Sequence, residues 1–210
     1  MKKFIVFEGI DGCGKTTQIQ MYKDYLEKKG LDVLLTREPG GVVLAEKIRD
    51  ILLDKRSHMG YMTEALLYAA ARAEHVEQII EPALKAGKVV LCDRFIYSSV
   101  VYQGYARQLG VDKILMLNKI ATKDLNPDVY IFIDIPLELC LQRRQLRIKE
   151  GGQAQDRIES ESQKFQEKVY EGYHMFMEIV PNIVSISGLG KPIEVHKRLI
   201  HKIDPIVFGI

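Results

Sequence analysis

Glycine, lysine and threonine residues with a distinctive spacing follow the first short apolar run of the chain. Gly9 and Gly14 are separated by four residues, and Lys15 and Thr16 come directly after Gly14. Glycines allow the backbone to wrap an anion, so that successive N–H groups and the positive end of the next helix face it. A lysine here reaches the β- and γ-phosphates of a nucleotide, and the threonine hydroxyl can ligate Mg²⁺. The spacing therefore predicts a P-loop at residues 9–16.

The P-loop alone does not define the class of protein, because GTPase switches, transport ATPases and small-molecule kinases share it. Residues 118–121, Asn-Lys-Ile-Ala, are the nearest match to the guanine-binding Asn-Lys-x-Asp motif, but they lack the aspartate and lie in a helical pattern. A GTPase switch is therefore disfavoured. A chance glycine-rich turn is also disfavoured, since a strand and a helix flank the motif. The residues expected to contact ATP in this loop are Gly9, Ile10, Asp11, Gly12, Cys13, Gly14, Lys15 and Thr16.

The overall composition is that of a globular protein. With 210 residues, 47% apolar and 28% charged, the chain is predicted to form one compact domain, residues 1–210. No apolar stretch is long enough to span a bilayer, and no signal peptide is evident, so we expect no membrane association. Three cysteines without metal-ligand spacing indicate reduced thiols and a cytoplasmic location. A formal charge of +2 gives no general attraction to nucleic acid.

Short β-branched or aromatic runs alternate with helical patterns along the chain. Each run is too brief for a core helix, so the sequence predicts five buried strands. The runs occupy residues 4–7, 33–35, 89–92, 129–133 and 183–186. Helical spacing of apolar residues lies between them, over residues 19–26, 44–52 and 66–84. The pattern predicts an α/β fold with a five-stranded parallel sheet, helices on both faces and ligands at the carboxyl ends of the strands.

Charged side chains follow two of these predicted strands. Arg37 comes at the end of the second strand, before a turn rich in proline and glycine, and is well placed for a phosphate. Asp93 and Arg94 follow the third strand, where a carboxylate can hold a magnesium ion or act as a base. Each residue alone could equally be a solvated surface charge or a helix cap. Their joint placement at strand ends favours a second phosphate site.

Several segments together resemble the thymidylate kinase family, bacterial type. The matching segments are residues 7–17, 36–41, 66–75, 93–104 and 156–159, in the order of the family. The resemblance implies the P-loop nucleoside monophosphate kinase fold and transfer of the ATP γ-phosphoryl group to dTMP, giving dTDP and ADP. It also implies a requirement for Mg²⁺ and a homodimer. Lys15, Asp93, Arg94 and Arg147 are the catalytic residues that we expect, with Thr16 and Asp93 at the metal and Asp11 the second choice of carboxylate.

The resemblance also assigns residues to the dTMP site. Asp11 would contact the sugar 3′-hydroxyl, while Arg37 and Arg94 would hold the phosphate. Tyr68 stands where the family usually has a phenylalanine stacked on thymine; without the resemblance, a core position would be favoured. Arg72, one helical turn on, could donate to the base carbonyl or pair with Glu64 or Glu74 on the surface. The residues expected around the base edge and the sugar are Ser98, Ser99, Tyr102 and Gln103, with Tyr102 excluding a ribose 2′-hydroxyl.

A basic segment at about residues 142–157 resembles the arginine-bearing lid of the bacterial branch. One branch of the family has an arginine inside the P-loop, where this chain has Gly12 and Cys13. We therefore expect the lid to supply the positive charge at the transferring group, first through Arg147. Arg143, which we expect near ATP, and Arg144 are the alternatives for this role. A solvated helix face is the alternative for at least two of the four arginines of this segment. Cys13 is either a reactive thiol or, as we favour, a small side chain in place of alanine.

Two other functions remain open on sequence alone. Another nucleoside monophosphate kinase would keep the P-loop and the lid but change the residues around the base. A nucleotide-dependent switch or partition protein would hydrolyse slowly and signal by conformation. The arginines that follow the second and third strands disfavour the switch, because they form a second phosphate site.

Overall fold

The computed structural model of the chain describes residues 2–152 and 154–209. Its sheet has five parallel strands in the spatial order β2-β3-β1-β4-β5. The strands are β1 (Lys3–Glu8), β2 (Val33–Arg37), β3 (Val89–Asp93), β4 (Val129–Asp134) and β5 (Ile183–Ser187). The five predicted strands are therefore confirmed, each to within two residues at either end.

Helices connect and surround the strands. They are α1 (Lys15–Lys28), α2 (Val43–Leu53), α3 (Tyr61–His75), α4 (Glu81–Lys85), α5 (Ile96–Ser99), α6 (Val111–Thr122), α7 (Leu137–Lys149), α8 (Gln163–Ile179) and α9 (Pro192–Phe208). A π-helical segment, Val76–Ile80, joins α3 to α4, and a second, Val100–Ala106, continues α5. The helical pattern predicted over residues 66–84 thus forms α3, the first π-helical segment and α4. The predicted α/β class is confirmed.

The central strands are apolar on both faces because both faces are covered. Residues 4–7 of β1, 89–92 of β3 and 129–133 of β4 are all buried, as in a parallel sheet between helical layers. On α1 the predicted apolar positions Ile19, Tyr22 and Leu26 are also buried. Helix α2 differs, since Leu44 and Ile51 of its apolar pattern are about half exposed, at 51% and 50%.

The strand order places the P-loop at the switch point of the sheet. From β1 the chain crosses to β2 on one side, and later crosses to β4 on the other side of β1. The carboxyl end of β1 therefore opens into a crevice between two sets of connections, where ligands of such sheets bind. Asp93 lies opposite Phe7 in the β1–β3 pair and opposite Arg37 in the β2–β3 pair. The predicted strand-end residues are thus neighbours.

One cluster of buried apolar side chains extends from Phe4 to Val207 and includes sheet and helices. Within residues 2–152 and 154–209, we find no helix with the length and hydropathy needed to cross a membrane. The proposed lid, about residues 142–157, comprises the last part of α7 and the segment after it. Gln153, inside that segment, lies outside the described residues.

Candidate active site

The P-loop connects β1 to α1 and is tightly held from both sides. Gly9 and Gly12 adopt φ values of 140° and 93°. A Cβ at Gly9 would lie 2.9 Å from the carbonyl oxygen of Ile133, and one at Gly12 would lie 2.5 Å from that of Cys140. Neither position can therefore hold a side chain in this conformation. The loop closes against β4 on one side and against α7 on the other.

Lys15 lies under the loop and is only 5% exposed. Its Nζ donates to the carbonyl oxygens of Gly9 at 2.8 Å and Ile10 at 3.4 Å, and lies 3.8 Å from Oδ1 of Asp11. The ammonium group is thus held at the start of α1, beside the loop N–H groups and the positive end of the helix. This arrangement can bind the phosphates of a nucleotide.

Arg94 connects the P-loop to the neighbouring cavity. Its Nη2 donates to Oδ1 of Asp11 at 2.7 Å, and its Nη1 donates to Ser98 Oγ at 3.0 Å and to Tyr173 Oη at 3.1 Å. The guanidinium carbon also lies 5.4 Å from the centre of the Tyr102 ring. Arg94 has a φ of 72°, an uncommon backbone conformation for a side chain of this size and one that often accompanies function.

Asp11 is ionised because it faces two cations. Burial alone would raise the pKa of its carboxyl, but Arg94 and Lys15 outweigh burial and hold that pKa well below its usual range. Asp11 therefore accepts hydrogen bonds at neutral pH. It lies between the lysine of the P-loop and the arginine of the cavity.

Glu8 fixes the backbone that presents Arg94. It is fully buried at the end of β1. Its Oε1 accepts from the backbone N–H groups of Phe95 and Ser98 at 3.0 and 3.1 Å, and its Oε2 accepts from Ser98 Oγ at 2.7 Å and Tyr173 Oη at 2.9 Å. Burial raises the pKa of Glu8, while Arg94 and these hydrogen bonds oppose the rise. Glu8 is therefore a buried, fully paired side chain.

A cavity lies beside the P-loop. Its lining includes every residue predicted for the dTMP site except Arg37. Arg37 is half exposed, and its Nη2 lies 2.9 Å from Oε2 of Glu46 on α2. Arg49 of α2 does line the cavity and donates to the carbonyl oxygen of Pro39 at 2.9 Å. No motif distinguished Arg49 in the sequence.

The residues predicted for the base lie on α3, α5 and the second π-helical segment. Arg72 is 2% exposed and pairs with Glu38 rather than with Glu64 or Glu74. Gln103 donates through Nε2 to Oε1 of Glu64 at 2.9 Å. Glu64 is itself completely buried. The polar groups at this end of the cavity are therefore held by buried carboxylates, which sequence spacing could not reveal.

Two aromatic residues complete the cavity lining. Tyr68 and Tyr102 both line the cavity. Burial raises the pKa of both phenols, so their hydroxyl groups stay protonated at neutral pH. Each ring can therefore offer an apolar face and a hydroxyl donor.

Thr16 and Asp93 have properties that suit a magnesium ion bound with a nucleotide. Thr16 is exposed in the first turn of α1. Oδ1 of Asp93 is buried and has no hydrogen-bond partner in the part of the chain that the structure describes. Across residues 2–152 and 154–209, no group of three or more His, Cys, Asp or Glu side chains could hold a metal. These hard oxygen ligands fit an ion held mainly by phosphates and water, as Mg²⁺ usually is.

The arginines of the lid segment lie in different surroundings. Arg143 Nη1 is 3.5 Å from the carbonyl oxygen of Cys13, and Arg144 is 3% exposed, with Cγ 3.2 Å from the position of a Cβ on Gly12. Arg147 is 45% exposed and donates to Glu159 at 2.8 and 3.1 Å. Arg157 lies 2.7 Å from Oε2 of Glu64. In this conformation Arg143 and Arg144 are thus the lid arginines beside the P-loop.

Comparison with known proteins identifies the family. The sequence model for thymidylate kinase matches residues 7–200. A thymidylate kinase of Thermoanaerobacter sp. (strain X514) is 51% identical over 199 residues, which cover 94% of this chain and 95% of the relative. The chain belongs to the thymidylate kinase family. Relatives of the same name from Caldanaerobacter subterraneus subsp. tengcongensis and Geotalea daltonii are 47% and 52% identical, covering 99% and 81% of this chain and 97% and 81% of the relatives.

Membership of the thymidylate kinase family confirms the predicted fold and rejects the nucleotide-dependent switch. Within this family fold, burial raises the pKa of Cys13, which is 2% exposed. A thiol with a raised pKa is a poor nucleophile. The structure therefore favours Cys13 as a small packing residue over a reactive thiol.

Sequence reasoning missed the roles of four residues that line the cavity or hold its polar groups. They are Glu38, Arg49, Glu64 and Tyr173. Glu38 and Glu64 lie inside segments that resemble the family or border them, but their carboxylates gained meaning only when their partners were found across the fold. Tyr173 is 165 residues from Glu8 in sequence, and no local pattern joins the two.

Proposed function

We propose that the chain transfers the γ-phosphoryl group of ATP to dTMP, giving dTDP and ADP, a step in dTTP synthesis. The observation that supports this most directly is the pair formed by Asp11 and Arg94, at 2.7 Å. It joins a P-loop, which binds a phosphate donor, to a separate cavity with its own guanidinium group. An enzyme that transfers phosphate between two nucleotides needs such adjoining sites.

The charges at this junction suit the alignment of two anions. The P-loop N–H groups and Lys15 would bind the β- and γ-phosphates of ATP, with Arg143 near the nucleotide. Arg94 would hold the phosphate of dTMP, and Asp11 would accept from the sugar 3′-hydroxyl. Fixed cations offset the repulsion between donor and acceptor and stabilise charge in the transition state without reorganising.

Arg37 remains our proposal for a second contact to the acceptor phosphate, although it would first have to leave Glu46. Arg49 already lines the cavity, and we add it as a further contact to that phosphate. Two arginines on the α2 side would then face Arg94 across the acceptor phosphate, as charge-assisted binding of a dianion favours.

The other end of the cavity suits a thymine ring. Tyr68 would stack on the base, Arg72 would donate to a base carbonyl, and Gln103, whose Nε2 is held by Glu64, would turn its oxygen to the base edge. Ser98 and Ser99 hold the arginines, Ser98 through Nη1 of Arg94 and Ser99 through Nη1 of Arg72. Tyr102 would occupy the space of a ribose 2′-hydroxyl.

Thr16 and Asp93 would hold the magnesium ion, with Asp11 as the second choice of carboxylate. When bound, the ion neutralises negative charge on the β- and γ-phosphates. Lys15, Arg94 and the lid arginines, first Arg147, would complete the charge around the transferring group.

We also propose a homodimer. Helix α3 packs between α2 and α6, and all three helices expose large apolar side chains. They are Val43, Leu44, Ile51, Tyr61, Met62, Leu66, Leu115, Met116 and Ile120, between 38% and 77% exposed. Apolar groups continuous over three adjacent helices fit a second copy of the same surface, as in an isologous dimer. The free cysteines Cys13, Cys92 and Cys140 support the proposed cytoplasmic location.

An assay of ADP release across nucleoside monophosphates tests the proposed function. The purified chain with ATP and Mg²⁺ would be given dTMP, dUMP, UMP, CMP and GMP in turn. We expect the highest kcat/KM with dTMP, and loss of activity by a factor of about 1,000 or more in Arg94→Ala, because one cation at the acceptor phosphate is removed. Lys113→Ala, an exposed change on α6, provides the control. ATP hydrolysis without an acceptor, or no preference for dTMP, would reject the proposal.

A further inference from the structure

Glu38 and His75 form a buried polar network next to the cavity beside the P-loop. The side chains are 3% and 0% exposed. Nδ1 of His75 lies 3.0 Å from Oε1 of Glu38, and Nε2 of His75 lies 2.7 Å from Oγ1 of Thr36. Because a carboxylate only accepts, Nδ1 must carry the proton that it shares with Glu38. These hydrogen bonds thus join the end of β2 to the last turn of α3.

This polar network holds the guanidinium group of Arg72 in place. Its Nε donates to the other carboxylate oxygen of Glu38, Oε2, at 2.6 Å. Its Nη1 donates to Ser99 Oγ at 2.9 Å and to Asn118 Oδ1, and its Nη2 donates to the carbonyl oxygen of Phe95 at 2.9 Å. These bonds use four of the five N–H groups of a guanidinium.

The fifth N–H group, on Nη2, has no acceptor among residues 2–152 and 154–209. Arg72 lines the cavity beside the P-loop, and we take this unpaired donor to be the one available to a ligand there. Its direction is fixed, since rotating the guanidinium would break buried hydrogen bonds to Glu38 and Ser99. A fixed donor discriminates strongly between an acceptor and another donor, because a mismatch leaves buried polar groups unpaired.

Close packing also restricts the side-chain conformations of His75 and Thr36. A Cβ at Gly41 would lie 2.7 Å from Cδ2 of His75 and 3.0 Å from Oγ1 of Thr36. The imidazole ring therefore fills the space that a side chain at position 41 would need. Glu38 is held independently by its own backbone N–H, which donates to the carbonyl oxygen of Asp93 at 2.9 Å.

We propose that Glu38 and His75 are positioning residues that make the cavity select a pyrimidine with a keto oxygen, and reject one with an amino group, at the base position facing Arg72. This inference rests on the proposed function, in which Arg72 faces the base. Glu38 fixes the plane of the Arg72 guanidinium, and His75 fixes the orientation of the Glu38 carboxylate. Neither residue touches the transferring phosphoryl group.

Steady-state kinetics of Glu38→Gln and His75→Asn test the proposal. In Glu38→Gln, an amide NH₂ group replaces one of the two acceptors, so the side chain can no longer accept from both Arg72 and His75, and the constraint on the plane of the guanidinium is weakened. His75→Asn keeps a donor near the position of Nδ1 and loses the bond to Thr36, so its effect should be smaller. The measured quantities are kcat, the KM values for dTMP and ATP, and the ratio of kcat/KM for dTMP to that for dCMP. Glu74→Gln on the outer side of α3 is the matched control.

We expect Glu38→Gln to raise the KM for dTMP and to lower the dTMP to dCMP ratio by about tenfold each, the effect of about one lost hydrogen bond. The kcat at saturating dTMP and the KM for ATP should change less than about twofold, because uniform binding is what is lost. A lower kcat with an unchanged KM for dTMP, or an unchanged ratio in both variants, would overturn the inference. Should Glu38→Gln fail to fold by circular dichroism, the ratio for His75→Asn decides alone. A wild-type chain without a preference for dTMP would instead reject the proposed function itself.

Discussion

At the scale of single residues, the site is built from side chains whose charge is set by burial and by a few defined partners. Glu8 is the extreme case, a fully buried carboxylate that accepts two backbone and two side-chain hydrogen bonds. The two backbone donors belong to the residues just after Arg94 and on α5. They hold the turn in which Arg94 adopts its φ of 72°. Glu8 thus stabilises a backbone conformation that costs about 1–3 kcal/mol elsewhere.

The raised pKa of Glu8 predicts a specific pH dependence of stability. In the folded chain its pKa lies above the ordinary value of 4.5, so the folded state binds this proton more tightly than the unfolded state. The contribution of Glu8 to the free energy of unfolding is therefore fully present below the unfolded pKa and is lost as the pH rises through the raised folded pKa. In Glu8→Gln this term is absent.

We expect the stability of the wild-type chain, relative to Glu8→Gln, to fall as the pH rises from below the ordinary value of 4.5 through the raised folded pKa of Glu8. Urea unfolding at several pH values measures it. Glu27→Gln, an exposed change on α1, controls for the general effect of removing a carboxylate. A constant difference between wild type and Glu8→Gln over this range would show that Glu8 does not titrate as its burial requires.

At the scale of secondary-structure elements, α7 and the segment after it combine two surroundings. Its first part lies against the P-loop, with Arg143 and Arg144 beside it, and its last turn faces the next segment through the bond from Arg147 to Glu159. Hydrogen bonding to Glu159 raises the pKa of Arg147, which keeps this residue charged. The element can therefore deliver a cation only where the bond to Glu159 exchanges for one to phosphate.

Arg147→Ala should lower kcat by about 100-fold or more, because an arginine that stabilises the charge of a transferring phosphoryl group raises kcat by at least this factor. The KM for dTMP should change far less. Lys149→Ala removes an exposed cation from the same helix and should leave kcat unchanged. Steady-state kinetics with saturating ATP measure both. If kcat falls in Arg143→Ala or Arg144→Ala but not in Arg147→Ala, the lid arginine that acts in the transition state is one of the two beside the P-loop.

At the scale of the whole molecule, one face is unlike the rest of the surface. Leu44 and Ile51 belong to a helical pattern that predicted α2 correctly, yet they are half exposed. Met116 and Ile120 on α6 are more exposed still, at 68% and 73%. Large apolar patches of this kind mark interaction sites. A second copy of the chain would bury them.

Ile120→Glu should convert the proposed homodimer to a monomer, because a charge at a self-complementary surface is buried twice, once in each copy. Sedimentation velocity over a range of concentrations measures the change in mass. Ile206→Glu, a similar change at an exposed apolar position of α9, should leave the dimer intact. The homodimer proposal is wrong if the wild-type chain sediments as a monomer at every concentration.

The sequence predicted the fold because the strands are continuous apolar runs and the P-loop lies between a strand and a helix. The apolar run at residues 129–133 is continuous because β4 is buried on both faces. It ends one residue before β4 does, because the last residue of the strand is Asp134. The cavity was foreseen through motifs at 66–75 and 93–104. The partners of its polar groups were not, because Glu38 reaches Arg72 across 34 residues and Glu64 reaches Gln103 across 39. Such pairs follow from the packing of helices rather than from local spacing.

The contact of Gly12 with α7 limits how any lid on this chain can move. A Cβ at Gly12 would meet the carbonyl oxygen of Cys140 at 2.5 Å and Cγ of Arg144 at 3.2 Å, so the first turns of α7 pack directly on the P-loop. If the proposed lid closes, we expect it to bend between that contact and Gly151, which adopts a φ of 83°. Arg143 and Arg144 would then stay beside the loop, and Arg147 would be the arginine of α7 that changes position.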